Sequence, residues 1–537
     1  MERRPTTLTI SADLRVKDPP PALVSWCKTH LILPNPEFAK LQRMGKWTGN
    51  TPGTLWLFKS DAGELILPFG TLREVLAILK TATPQPSVGA VCDRPRATAG
   101  RPYEQGNALS PASRELPQRG SLSGNDSPKA SPSGGGVAPV GRDGEGIARE
   151  SLRIIPDFPA PRPVDYACTV PLYDYQIPAV EALAAAKYGI LQSPAGSGKT
   201  QMGIALIARL GLKTLWLTHT ADLLKQSYER AALYMDKSLF GTITAGKVDI
   251  GAGITFATVQ TLAKQDLDQY RDVWDVVIVD ECHRVAGSPT AMTQFGRVLS
   301  HLAARRKYGL SATVHRADGL VRCTHAYLGE IVHTVPASAV AGKVMTVHIR
   351  PRLTGVPLSR SCLDTDGTLI YAKLIQHLTE HPDRNRRITA DLIDNATHYN
   401  LILSDRLDHL RALMDALPDE LRANAVMIDG SMTSKRGKAD REAAIEAMRS
   451  GERHYLFATY RLAKEGLDIP RLDRLYLTTP QTDYAIVTQS VGRIARTFPD
   501  KDTPVCYDYV DDAVYLERAW KARCRHYRKG GGVVEEV

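Results

Sequence analysis

The chain has 537 residues, 43% of them apolar, and a formal charge of +10 at pH 7. Such a length exceeds what one hydrophobic core serves and implies three or four compact units. No run approaches the ~20 apolar residues of a membrane span, and Met1-Glu2-Arg3-Arg4-Pro5 does not open a secretory signal. The eight cysteines are scattered without a CxxC pair, which argues against zinc-ribbon and disulfide frameworks. A reducing cytoplasm is the expected setting, and the basic excess favours a polyanionic partner.

Residues 1–85 read as a small globular accessory domain, with Leu23, Val24, Trp26, Leu31, Phe38, Leu55, Trp56, Leu57 and Phe58 as its expected core. Arg43, Lys46, Trp47 and Lys59 are its candidates for contacts to phosphates and bases, and Trp47 is also a core candidate. Residues 86–150 turn to Pro, Gly and Ser, with too few large apolar groups to offset ordering entropy, and read as a flexible linker. Short apolar strands then alternate with amphipathic helices over 151–340 and again over 341–528. That alternation predicts an α/β fold: two lobes with parallel sheets. In the first lobe the expected strands are Tyr188–Leu191, Thr214–Thr218, Ile254–Ala257, Val276–Val279 and Tyr308–Ser311. Those of the second are Leu401–Ser404, Ala425–Ile428, Tyr455–Thr459, Leu475–Thr478 and Val505–Tyr509. Val332 to Asp366 reads as connecting strands and a crossover, and 529–537 as a tail.

Ser193-Pro194-Ala195-Gly196-Ser197-Gly198-Lys199-Thr200 lies between a strand and a helical pattern, Gln201–Leu210, as a phosphate-binding P-loop requires. In the loop that Pro194 opens, backbone N–H groups of Ala195 to Gly198 and the helix N-terminus would cradle the phosphates of ATP. Lys199 would reach the β- and γ-phosphates, and the Thr200 hydroxyl would hold Mg²⁺. The strand Val276–Val279 runs straight into Asp280-Glu281-Cys282-His283. Ligands sit outside the carboxyl ends of such strands, which places Asp280 on Mg²⁺ and Glu281 on the attacking water. Arg493 and Arg496 are three apart on a predicted helix and share a face. Positive charge brought to the departing γ-phosphate is worth ~10³-fold or more in rate.

Asp280-Glu281-Cys282-His283 is similar to the DExH box of superfamily 2 helicases, and further motifs follow in that family's order. Thr218-His219-Thr220 resembles motif Ia, Ala257-Thr258-Val259-Gln260-Thr261 motif Ib and Ser311-Ala312-Thr313 motif III. In the second lobe Leu403-Ser404-Asp405-Arg406 resembles motif IV, Thr459 through Pro470 motif V and Gln489 through Arg496 motif VI. The resemblance implies two tandem RecA-like lobes with ATP between them. It implies that Gln176 reads adenine, that Gly466, Asp468 and Gln489 join the nucleotide site, and that Thr220, Thr258, Ser404 and Thr459 touch the nucleic-acid backbone. Tyr308 to Gly319 and the Gln-led motif VI are similar to the branch of XPB-like and phage UvsW-like DNA helicases. Arg316-Ala317-Asp318 departs from the Arg-Glu-Asp of the XPB group, which puts the damage-sensing role of that triplet in doubt.

The implied activity is that of an ATP-dependent DNA helicase or translocase on single-stranded, forked or branched DNA. The alternatives are a motor subunit in a restriction or phage-defence complex, an ATP-switched annealing clamp and, less expected, an RNA helicase. Repair, replication or defence proteins are the implied partners, and a membrane is not. The basic run Arg518, Lys521, Arg523, Arg525, Arg528, Lys529, with Trp520 and Tyr527 interleaved, reads either as an auxiliary nucleic-acid face or as a solvated helix end.

Overall fold

Three large sheets and a two-stranded ladder organise the described residues. The computed structural model describes residues 5–43, 45, 47–49, 51–82, 152–194, 196–286, 289–312, 320–340, 344–432, 434–460, 462 and 467–536. The expected linker, the residues Lys46, Ala195, Thr313, Arg316 to Asp318 and Gly466, and the side chain of Arg43 lie outside that set.

The amino-terminal sheet contains β1 (Thr7–Ile10), β2 (Asp13–Lys17), β5 (Lys59–Asp61), β6 (Glu64–Pro68) and β7 (Arg153–Pro156), in the order β5-β6-β2-β1-β7. A separate ladder joins β3 (Ile32–Pro34) to β4 (Thr54–Trp56). β7 corrects the expectation that residues 151 onward open the next lobe. It runs parallel to β1, from Thr7↔Arg153 to Ile10↔Pro156, and covers an edge that would otherwise expose unpaired backbone groups. The accessory core is not self-contained either: Leu8, Val16, Leu67, Phe69 and Val75 pack with Leu320, Cys323 and Ala326 of the following lobe. At Gly70 the two backbones approach so closely that a Cβ would lie 2.3 Å from the His325 carbonyl oxygen. Lys307, fully buried, donates from Nζ to the Ala12 carbonyl at 2.7 Å and the Leu299 carbonyl at 2.8 Å. Its ammonium also lies 4.6 Å from the Phe69 ring centroid. Trp56, an expected core residue, is 61% exposed, and Trp47 is 88% exposed.

The second sheet contains β8 (Tyr188–Gln192), β9 (Thr214–Thr218), β10 (Phe240–Thr244), β11 (Lys247–Val248), β12 (Ile254–Thr258), β13 (Val276–Asp280), β14 (Arg306–Ser311) and β15 (Ile331–Thr334). Their order is β11-β10-β12-β9-β13-β14-β8-β15, parallel except for the β10–β11 hairpin. Every residue of β9, β12 and β13 is buried, as continuous apolar runs covered on both faces by helices require.

The third sheet contains β16 (His348–Pro357), β17 (Asn400–Ser404), β18 (Ala425–Ile428), β19 (Tyr455–Thr459), β20 (Arg474–Leu477), β21 (Val505–Asp512) and β22 (Val533–Val534). All its pairings are parallel, in the order β18-β19-β17-β20-β21-β16-β22. The expected tail is therefore partly strand. β22 closes the β16 edge, and Glu535 pairs with Arg350 at 2.9 Å. The basic run on the helix Val514–Lys529 is divided by burial: Arg523 grips Asp508 at 2.7 and 2.8 Å, and the Tyr527 hydroxyl donates to the same carboxylate at 2.6 Å. No helix among the described residues is long and apolar enough to cross a membrane.

Candidate active site

β8 delivers Ser193 to the base of the glycine-rich loop, where its N–H donates to the Ser311 carbonyl at 2.9 Å. Gly196 and Gly198 turn the chain with φ of 79° and 75°, in the left-handed region that glycine enters without steric penalty. Gly198 then starts the helix Lys199–Leu210 without a side-chain cap, so its first N–H groups point toward the cavity. The Ser197 hydroxyl donates to the Pro194 carbonyl at 2.6 Å and lies 2.5 Å from the Ser193 hydroxyl. Thr200 sits half-buried in the first helical turn.

Gln176, expected at adenine, sits directly behind the loop. It is fully buried; its Oε1 accepts from the Tyr173 N–H at 2.9 Å, and its Nε2 donates to the Ser197 carbonyl at 2.8 Å. Both amide ends brace the loop, with Tyr175 adding a hydroxyl bond to the same carbonyl at 3.1 Å.

Asp280 ends β13, and Glu281 follows with φ of 48°, a strained conformation for a side-chain-bearing residue that turns the carboxylate toward Lys199. Lys199 Nζ lies 3.8 Å from Glu281 Oε1, and His283 Nδ1 lies 3.2 Å from Oε2. His283 Nδ1 is also 3.0 Å from the Ser311 hydroxyl, which ties the DExH box to the motif III strand. Asp280 accepts from the Ser227 hydroxyl at 3.3 Å and from the Glu281 N–H at 2.9 Å. Burial first, then the neighbouring Glu281 charge, raises the Asp280 pKa. Burial pushes Glu281 the same way, but Lys199, His283 and Arg493 outweigh it and leave Glu281 ionised.

Arg493 approaches from the other lobe, on the helix Tyr484–Ile494, and donates to the Leu467 carbonyl at 2.9 Å. Burial lowers its pKa to about 10, against the pull of Glu281, so it stays a cation at neutral pH. The helix stops at Ile494, so Arg496 lies in the turn beyond it rather than on the same helical face, and it pairs with Asp468. Gly196, Lys199 and Glu281 from one lobe and Gln489, Arg493 and Arg496 from the other line a cavity of about 90 Å³. Gln489 Oε1 is buried there with no hydrogen-bond partner among the described residues.

The four hydroxyls expected at the nucleic-acid backbone all lie at carboxyl ends of parallel strands. Thr220 caps the helix Ala221–Ala232 by accepting from the Leu223 N–H at 3.3 Å, and Thr258 donates to Thr261 at 2.9 Å. Thr459 lines a groove of about 870 Å³ between the lobes. Ser404 is placed differently from the expectation: it is fully buried, and its hydroxyl is taken by His409 at 3.0 Å and the Arg406 N–H at 3.1 Å. Two ion pairs that single-sequence reading missed cross the same groove, Lys225–Glu442 at 2.8 Å and Arg441–Asp222 at 3.0 Å. Only the folded topology brings these residues together, Lys225 and Glu442 being 217 positions apart.

A glycine-rich loop and an acidic strand end on one RecA-like lobe thus face an arginine from a second lobe across one cavity. Two family models match the chain in series: "Type III restriction enzyme, res subunit" over residues 169–316, and "Helicase conserved C-terminal domain" over residues 385–498. The chain is similar to superfamily 2 helicases, with XPB-type and viral relatives. A relative from Acanthamoeba polyphaga mimivirus, provisionally named an ATP-dependent RNA helicase, is 26% identical over 349 residues, covering 64% of each chain. The DNA 3′-5′ helicase XPB of Mycobacterium tuberculosis is 24% identical over 355 residues, 63% of this chain and 60% of its own. The DNA 3′-5′ translocase XPB2 of Sulfurisphaera tokodaii is 25% identical over 364 residues, 62% of this chain and 80% of its own. The chain thus spans less than two thirds of the first and second of these relatives. A solved fragment of a provisionally assigned HsdR subunit of a type I restriction enzyme from Vibrio vulnificus shares the fold. Its TM-score is 0.50 at 17% identity, over 68% of this chain and 69% of that one.

Proposed function

We propose that the chain couples ATP hydrolysis in the interlobe cavity to movement along, or remodelling of, DNA. One observation carries the reading: Glu281 and Arg493, from opposite lobes, converge so closely that each acts on the other's ionisation. A nucleotide between them is held by both lobes at once, so its hydrolysis changes what binds the lobes together.

The residues present fit a nucleoside triphosphate with a divalent cation. The uncapped helix end and the Gly196–Gly198 turn offer N–H groups to phosphates, and the buried Gln489 Oε1 offers an acceptor. The adjacent carboxylates, buried Asp280 and partly buried Glu281, suit a dication beside Asp280. Thr200 and Asp280 would hold Mg²⁺, which supplies charge neutralisation at the phosphates. Lys199 and the loop from Pro194 to Gly198 bind and orient the phosphates. Glu281, ionised, accepts a proton from water at the γ-phosphate, while Arg493 stabilises the developing charge. Arg496, held by Asp468, supports the same wall. Thr220, Thr258 and Thr459 mark the edge along which a strand would lie.

The XPB relatives favour DNA over RNA as the track. The description of the family model over residues 169–316 favours a second reading, in which the motor serves a restriction assembly. ATPase activity should be measured with single-stranded, duplex and branched DNA and with RNA. DNA should stimulate turnover, and Lys199→Ala or Glu281→Gln should abolish it. Stimulation by RNA alone would overturn the DNA assignment, and normal turnover in either variant would overturn the site.

A further inference from the structure

The geometry points to Tyr371 and Tyr515 as a stacking surface for the bases of single-stranded nucleic acid, a reading that rests on the nucleic-acid motor proposed above. Because every strand of the third sheet is parallel, all its carboxyl ends form one edge. Thr459 ends β19, Arg406 follows β17, Pro480 follows β20, and Tyr515 follows β21. Sheet order places these strands side by side, so Tyr515 lies three strand spacings, ~15 Å, from Thr459 along that edge.

Tyr371 opens the helix Tyr371–Glu380, and its hydroxyl donates to the Pro480 carbonyl at 3.1 Å. The phenol is pinned at its tip while the side chain stays 47% exposed, and Tyr515 is 50% exposed beside Val514 at 68%. Neither ring is on a loose segment. Leu374, Leu378 and Leu516 pack with Val356 and Cys362 in a small core that joins the two helices. Tyr515, Asp405, Arg406 and Arg523 all act on the Tyr371 phenol, which burial raises to about 12, so these groups form one patch. Asp508 occupies Arg523, whereas Arg406, beside Asp405, is exposed and within reach of a phosphate laid along this edge.

Two half-exposed aromatic rings on packed helices, beside an exposed arginine, fit a base-stacking platform with a phosphate contact, and stacking on such rings tolerates any base. Continuity with the Thr459 end of the interlobe groove selects nucleic acid over protein as the occupant. Backbone contacts alone would bind a strand with and without bases equally; the tyrosines add a term that requires bases.

The full chain should be titrated by fluorescence anisotropy with a labelled oligothymidylate of roughly 20 nucleotides and with an abasic strand of the same length. The Tyr371→Ala/Tyr515→Ala variant should bind the oligothymidylate about tenfold more weakly, with little change on the abasic strand. Tyr371→Phe/Tyr515→Phe, which keeps the rings, should bind as the wild type does. Equal losses on both strands, or none on either, would overturn the stacking surface alone. A self-association that the alanine variant abolishes, with strand binding intact, would also overturn it. Wild-type protein that binds neither strand would overturn the motor reading as well.

Discussion

A hydrogen-bonding side chain reads a ligand only with the capacity its existing bonds leave it. Gln176 occupies the position from which adenine recognition was expected, yet each end of its amide already holds one bond, to Tyr173 and to Ser197. Each such bond is worth ~1 kcal/mol net, enough to set the loop but not to choose a base. Gln176→Ala should therefore raise the KM for ATP and for GTP by similar, several-fold factors in steady-state kinetics. A loss confined to ATP would show that the side chain swings out to read the base. Residues whose places follow from local grammar were legible in the sequence: Lys199, Asp280 and Glu281 each end or follow a strand that the apolar pattern marks. Ser404 was legible as a strand end, but its hydroxyl answers to His409, a neutral imidazole held by burial and by Arg384 at a pKa of about 3. No pattern around Ser404 records that neighbour.

At the scale of elements, the amino-terminal sheet and the first lobe are joined by contacts that read as nothing in sequence. β7 is four residues long, and its partner lies on the far side of the whole linker. Lys307 resembles an ordinary charged strand start, yet its ammonium is satisfied by a carbonyl 295 residues away. Together these contacts predict that the covalent linker is dispensable once the chain has folded. With a protease site inserted after residue 120, the two cleaved pieces should co-elute in size-exclusion chromatography; separation of the pieces would refute the shared core. Lys307 also gives the junction a pH dependence. Burial lowers its pKa from 10.5 to about 7, with Asp13 pulling the other way. Between those values the unfolded chain holds a proton that the folded chain releases, so stability rises with pH across the window. Below about pH 7 the penalty of burying the charge is present in full. Urea melts should accordingly show a gain from pH 7 to 9 that Lys307→Met removes, and an unchanged slope in that variant would assign the effect elsewhere.

At the scale of the whole molecule, two kinds of contact close the lobes, and they differ in strength by design of their surroundings. Lys225 and Glu442 are 57% and 67% exposed, and such pairs are worth ~0–1 kcal/mol and weaken with salt. They can open at every cycle. Arg493 is different: it is desolvated and faces Glu281, where charge is worth most. Two variants should consequently fail in opposite ways. Glu442→Lys sets like charges across the groove, and should raise the apparent KM for ATP while kcat holds. Adding Lys225→Glu should restore KM, and about 0.5 M salt should erase the difference between all three proteins. Arg493→Ala should leave ATP affinity within a few-fold and lower kcat by ~10³. Interlobe fluorescence energy transfer separates the two mechanisms directly. The Glu442→Lys protein should need more ATP to reach the closed distance, whereas the Arg493→Ala protein should close normally and then fail to turn over. If Arg493→Ala instead weakened closure and affinity together while kcat survived, the guanidinium would be a clamp on the bound nucleotide, and the coupling of hydrolysis to lobe movement would have to run through Arg496 and Asp468.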